Sequence, residues 1–171
     1  MLFRSVVAIT VDATSSAVCS ISGGVVSFLT VGTCTLNFNQ AGNTNWLAAT
    51  QVQQSFSVGK GSQTITAPSA PSGAWSGTLS VATTATSGLT VSYALGAGST
   101  ATGCAVNSSG VVSATSAGTC VITLSQAGNT NWLAASNVTA TATFTASAQT
   151  ITVDRKSTRL NSSHSQQSRM P

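Results

Sequence analysis

Apolar side chains fall on every second position through much of this chain. Cys120, Ile122 and Leu124 share one parity while Val121 and Thr123 take the other, and Cys34, Leu36 and Phe38 repeat that pattern. Leu89, Val91, Tyr93 and Leu95 form a second alternating set, Leu79 with Val81 a third, and Val138, Ala140, Ala142 and Phe144 a fourth. A period of two sends successive side chains to opposite faces of a strand, and the intervening Ser and Thr suit strands half buried and half wet. Gly and Ser clusters at 73–77, 96–99 and 108–110 mark turns. No stretch carries an i, i+3, i+4 apolar stripe with helix caps. The expected fold class is all-β, an antiparallel β-sandwich. Strand edges are least defined between Ala67 and Gly88, where Pro68, Pro71 and many Ser, Thr and Gly residues blur the alternation.

The pattern recurs. Residues 40–49, Gln-Ala-Gly-Asn-Thr-Asn-Trp-Leu-Ala-Ala, reappear unchanged at 126–135, an offset of 86. Gly32-Thr33-Cys34 matches Gly118-Thr119-Cys120, and Gln63-Thr-Ile-Thr matches Gln149-Thr-Ile-Thr. Cys19 matches Cys104 at an offset of 85. The period exceeds that of helical solenoids and is close to one small β-sandwich. It divides the chain into a unit at 6–60 without its leading strands, a complete unit at 61–147, and the opening strand of a third at 148–153. The complete unit is large enough to bury its own core, whereas the first is expected to close poorly.

Composition changes the picture only at the ends. The chain has 171 residues and a net charge of +4, yet only 5% of residues are charged and 42% are hydrophobic. That excludes coiled coils and helical bundles, and the recurring Val, Ile, Leu and Trp argue against disorder. No apolar run approaches a membrane span, and no signal peptide is visible. Between Val6 and Val153 the only charges are Asp12 and Lys60, which cancel. Residues 154–171, DRKSTRLNSSHSQQSRMP, resemble the in-frame translation of a short-read sequencing adaptor, and Leu2–Ser5 resemble its opposite end. Residues 1–5 and 154–171 are therefore expected to be foreign, and 6–153 a natural fragment with neither native terminus. On that reading the basic charge implies neither a nucleic-acid partner nor membrane insertion.

Candidate chemistry is sparse. The cysteines fall one pair per unit, Cys19 with Cys34 and Cys104 with Cys120. Zinc is poorly supported, because there is no C-x-x-C spacing and no histidine before the tail. A disulfide in each unit is the preferred reading, implying an oxidising, extracytoplasmic setting; buried free thiols are the alternative. The shared decapeptide lies between two strands of each unit. Its Gly and Asn residues can hold a turn, with Gln40, Asn43, Asn45 and Trp46, and Gln126, Asn129, Asn131 and Trp132, in structural roles. Trp46 and Trp132 are expected to plug the sandwich ends. A cation site built from Asn and Gln oxygens is the rival reading, but calcium sites usually use several carboxylates. Trp75 is either a core or edge plug, which is preferred, or an exposed contact. Asn107 and Asn137 head formal glycosylation sequons.

The run Gly-Thr-Cys-x-Ile/Leu-x-x-x-Gln-Ala-Gly-Asn-x-Asn-Trp, followed by Gln-Thr-Ile-Thr, resembles bacterial immunoglobulin-like repeat proteins. The resemblance extends over essentially all of 6–153 and implies tandem immunoglobulin-like β-sandwich repeats from a large secreted or surface-anchored, adhesin-like bacterial protein. It implies a spacer or adhesive role, neighbouring repeats as partners, and no catalytic residue or cofactor. The residues agree: with Asp12, Lys60 and no histidine, general acid–base pairs and Ser-His-Asp arrangements lack their members. Asp12 is expected to be a solvated strand-end residue. A glycan- or protein-binding module using Trp75 or the Asn-rich loops is the alternative.

Overall fold

The computed structural model describes residues 6–151; the segments 1–5 and 154–171 lie outside the described residues. The described chain is all-β apart from one 3-10 turn at Ala13–Ser15. Alternation predicted this, and turn residues cut the strands to between two and eight residues.

In the first half, β1 (Ala8–Val11), β4 (Gly32–Asn39) and β5 (Val52–Val58) form one antiparallel sheet in the order β1-β4-β5. β2 (Cys19–Ser22) and β3 (Val25–Phe28) form a two-stranded sheet. The second half is fuller. β6 (Ser72–Ala74), β8 (Ser92–Leu95), β11 (Gly118–Ser125) and β12 (Val138–Thr145) form a sheet ordered β6-β12-β11-β8. β7 (Leu79–Ser80), β9 (Ala105–Val106) and β10 (Val111–Ser113) form the facing sheet, ordered β7-β10-β9. All pairings are antiparallel except β6 with β12, which is parallel.

The halves share their pairing register. Gly32 opposes Val58 and Phe38 opposes Val52 in β4–β5, while Gly118 opposes Phe144 and Leu124 opposes Val138 in β11–β12. Val11 opposes Leu36 as Leu95 opposes Ile122. A one-residue slip would turn every apolar side chain to the other face, so the parity of the strands pins the register.

The main core lies between the two sheets of the second half. Phe144, Ile122, Leu124, Val81, Val112 and Cys120 are fully buried there, and each large aliphatic or aromatic side chain contributes roughly 1.5–3 kcal/mol of burial. The buried apolar cluster of the first half is only Cys19, Cys34 and Leu36, with Val11, Val18, Val26, Phe38, Phe56 and Val58 packed against them half exposed. Among the described residues its sheets have no counterpart of β6 or β7, and one edge of β5 and one edge of β3 are unpaired.

One expectation lies partly outside the described residues, and one needs correction. Residues 148–151 form no strand, and 152–153 lie outside the described residues. Even in the second half, residues 61–66 make only isolated bridges, Gly61 to Trp132 and Ile65 to Ala85. The set Leu89–Leu95 is strand only from Ser92, and Leu95 at the end of an edge strand is half exposed.

Candidate interaction site

Both pairs of cysteines are disulfide-bonded: Cys19 with Cys34 and Cys104 with Cys120, each with Cα atoms 5.8 Å apart. Each bridge ties the strand β4 or β11 to the segment that crosses to the other sheet. Cys19, Cys34 and Cys120 are fully buried. The two disulfides fit an oxidising, extracellular environment.

The decapeptide folds identically in its two copies. Asn43 Oδ1 accepts from the N–H groups of Asn45 and Trp46 at 2.8 and 3.1 Å, and Asn129 Oδ1 from those of Asn131 and Trp132 at 2.8 and 3.0 Å. The Gln40 and Gln126 side chains accept from the N–H groups of Gly42 and Gly128. The Asn43 N–H donates to the Trp46 carbonyl at 2.8 Å, and the Asn129 N–H to that of Trp132 at 3.0 Å. Gly42 and Gly128 both sit at φ +75°, and a Cβ at either would strike the carbonyl of the loop's own Trp. Local chemistry alone thus builds this loop.

The surroundings of the two copies differ. In the second half the loop grips the other half of the chain. Asn131 Oδ1 accepts from Thr30 Oγ1 at 2.5 Å and from the Val31 N–H at 3.2 Å, in the turn between β3 and β4. The Gly61 N–H donates to the Asn131 carbonyl, and the Leu133 N–H to the Gly61 carbonyl, both at 2.9 Å. Lys60 Nζ donates to the Asn129 carbonyl at 2.8 Å. Trp132 lies against Gly61, where a Cβ would stand 2.9 Å from its ring. A cleft of about 360 Å³ remains beside them, lined by Phe28, Leu29, Val58 and Trp132 among others.

From the opposite side, buried Gln63 locks the loop to its own sandwich. Its Nε2 donates to Gln126 Oε1 and to the Leu133 carbonyl, both at 2.6 Å, and its Oε1 accepts from Ser87 Oγ. In the first half the same loop has neither support. Trp46 is 70% exposed and Leu47 94%.

These positions correct the tryptophan expectation. Neither ring plugs a sandwich end: Trp132 belongs to the junction between halves, outside the main core, and Trp46 faces solvent. Trp75 also stays out of the core, 41% exposed at the turn after edge strand β6, its N–H donating to the Thr145 carbonyl. Periodicity could not find Thr30, Val31, Lys60 or Gly61, because they act through backbone atoms or a side chain across some 70 to 100 residues. Gln63 carried a signal, its recurrence as Gln149.

The charged residues do structural work. Asp12 caps the 3-10 turn and accepts from Thr14 N at 3.0 Å and Thr14 Oγ1 at 2.6 Å. Asn37 Nδ2 and Gln53 Nε2 each reach its second oxygen at 3.2 Å. The Thr14 hydroxyl foremost, then the Thr14 N–H and Asn37, hold its carboxyl below the usual carboxylate range. Among the described residues no group of three or more His, Cys, Asp or Glu is placed to hold a metal, and no helix is long and apolar enough to cross a membrane. No protein-family model and no curated protein matches the chain.

Proposed function

We propose that this chain is a non-catalytic structural module, a run of immunoglobulin-like repeats serving as spacer or adhesive stalk in a large bacterial surface or secreted protein. The observation that carries this reading is the junction: a loop repeated without change uses its second copy to clamp the linker and the preceding half. A clamp of that kind converts repetition into reach, since each unit needs contact only with its neighbour. The disulfides support an extracellular place of work. With one carboxylate and one amine in 6–151, the residues offer positioning chemistry and no proton-transfer pair.

Residual dipolar couplings or small-angle scattering on the dilute chain test it. The expected result is one fixed orientation between halves, loosened by Trp132→Ala. Independent tumbling of the halves in the unaltered protein would sink the spacer reading. The exposure of Trp75 favours a second reading, a glycan- or protein-binding module. Saccharide titration monitored by tryptophan fluorescence, with Trp75→Ala as control, decides between them.

A further inference from the structure

The first copy of the loop is built like the second but covers no other described segment, and Trp46 and Leu47 are exposed beside Asn45. The second copy shows what such a loop accepts. Asn131 takes a hydroxyl and a backbone N–H from a strand-connecting turn, its Trp lies on a linker residue, and its backbone pairs with that linker. The same end exists in the second half. Ser116 and Ala117 occupy the positions of Thr30 and Val31, just before Gly118, which opposes Phe144 as Gly32 opposes Val58. Thr145, Ala146 and Ser147 follow at the positions of Gly59, Lys60 and Gly61, and all three are exposed. Trp75, tied to the Thr145 carbonyl, adds an exposed aromatic residue next to that end.

We infer that the Asn45–Trp46–Leu47 face is a docking surface for the carboxy-terminal end of the second half of another copy of this chain, at Ser116–Ala117 and 145–147. This rests on reading the loop as an inter-repeat clamp and extends that reading from one chain to two. The contact joins unlike surfaces, so it propagates head to tail rather than closing a two-fold dimer. It is weaker than the internal junction for three reasons. Ala146 lacks the Lys60 ammonium that reaches the Asn129 carbonyl. Ser147 puts a Cβ where Gly61 leaves room for the indole. The Ser116 hydroxyl must also turn away from the Ala117 carbonyl to reach Asn45.

Sedimentation velocity of the full chain across the micromolar range tests the contact. A concentration-dependent series of species is expected, weakened by roughly tenfold or more in Trp46→Ala and Asn45→Ala. Ser147→Gly is expected to tighten the association several-fold, the ring then having the space it has over Gly61. Both loop positions are exposed, so circular dichroism should show the variants folded. A chain that stays monomeric throughout overturns the proposal. So does association that survives Trp46→Ala, which would assign it to the open edges of β3 and β5. A monomer whose halves keep one fixed orientation would end this inference and leave the spacer reading standing. Independent tumbling of the halves would remove the spacer reading itself.

Discussion

The two halves are near-replicas in register and opposites in completeness. Both pair their central strands alike, and both tie them with a disulfide across a 15- or 16-residue separation. Yet twelve residues form the buried cluster of the second half and three that of the first. The difference is the leading segment. In the second half Ile65, Leu79 and Val81 come from before β8 and close the core, while β6 and β7 cover strand edges. Among the described residues no apolar side chain ahead of β1 joins the buried cluster of the first half, and Val25, Phe28, Leu29 and Val52 are exposed. Register is therefore a property of strand pairs, whereas a core is a property of the whole sandwich.

The sharpest way to break the comparison is to remove core volume from each half. Phe144→Ala is expected to cost about 3–5 kcal/mol, and its counterpart Val58→Ala, half exposed, about 1 kcal/mol or less. Chemical denaturation followed by hydrogen exchange on each half would show the asymmetry; equal costs would mean that the first half is as well packed as the second. Next come the disulfides. Each closes a loop whose constraint stabilises by about 3 kcal/mol in the chain-entropy model. Reduction is expected to release amide protection across β2–β4 while leaving β11–β12 protected, because Cys19 and Cys34 supply two of the three residues in the first half's buried apolar cluster.

A smaller effect separates the two tryptophans. In dilute protein, Trp132→Ala should lower stability by about 1–2 kcal/mol through loss of its packing at the junction. Trp46→Ala, a surface change, should stay within about 0.5 kcal/mol. Thermal denaturation of both variants checks the pair, and a comparable loss in Trp46→Ala would place its ring in contact with something. The smallest effect belongs to Asp12. Its carboxyl is held below the ordinary value in the folded chain, so its contribution is present at neutral pH. That contribution fades as acid protonates the folded carboxyl. Asp12→Asn should therefore weaken the first half slightly at pH 7 and leave it unchanged under strong acid, by amide exchange of 13–15.

Legibility followed the range of the interactions. Alternation at Cys120-Ile122-Leu124 and at Ala140-Ala142-Phe144 identified buried strand faces, because side-chain direction in a strand is local. Cysteine spacing pointed to two bridges, and both are present. Short stretches read less well: Gln63–Thr66 looks like a strand and forms only one isolated bridge. The tryptophans were misplaced for a related reason, since a large apolar side chain announces burial without saying against what.

The decapeptide separates the two contributions most cleanly, because its sequence is constant and its surroundings are not. The residues alone determine the turn: Asn43 and Asn129 cap it alike, and Gly42 and Gly128 take the same positive φ. They also determine strand parity and register on either side. Only the tertiary structure decides burial. Ala135 is 8% exposed and Ala49 lies open, although the ten-residue segments that end on them are the same. Gln63, Gly61, Thr30 and Val31 reach the second copy, and among the described residues nothing equivalent reaches the first. Hydrogen bonds within a few residues travel with the sequence, whereas desolvation depends on what the rest of the chain brings into contact.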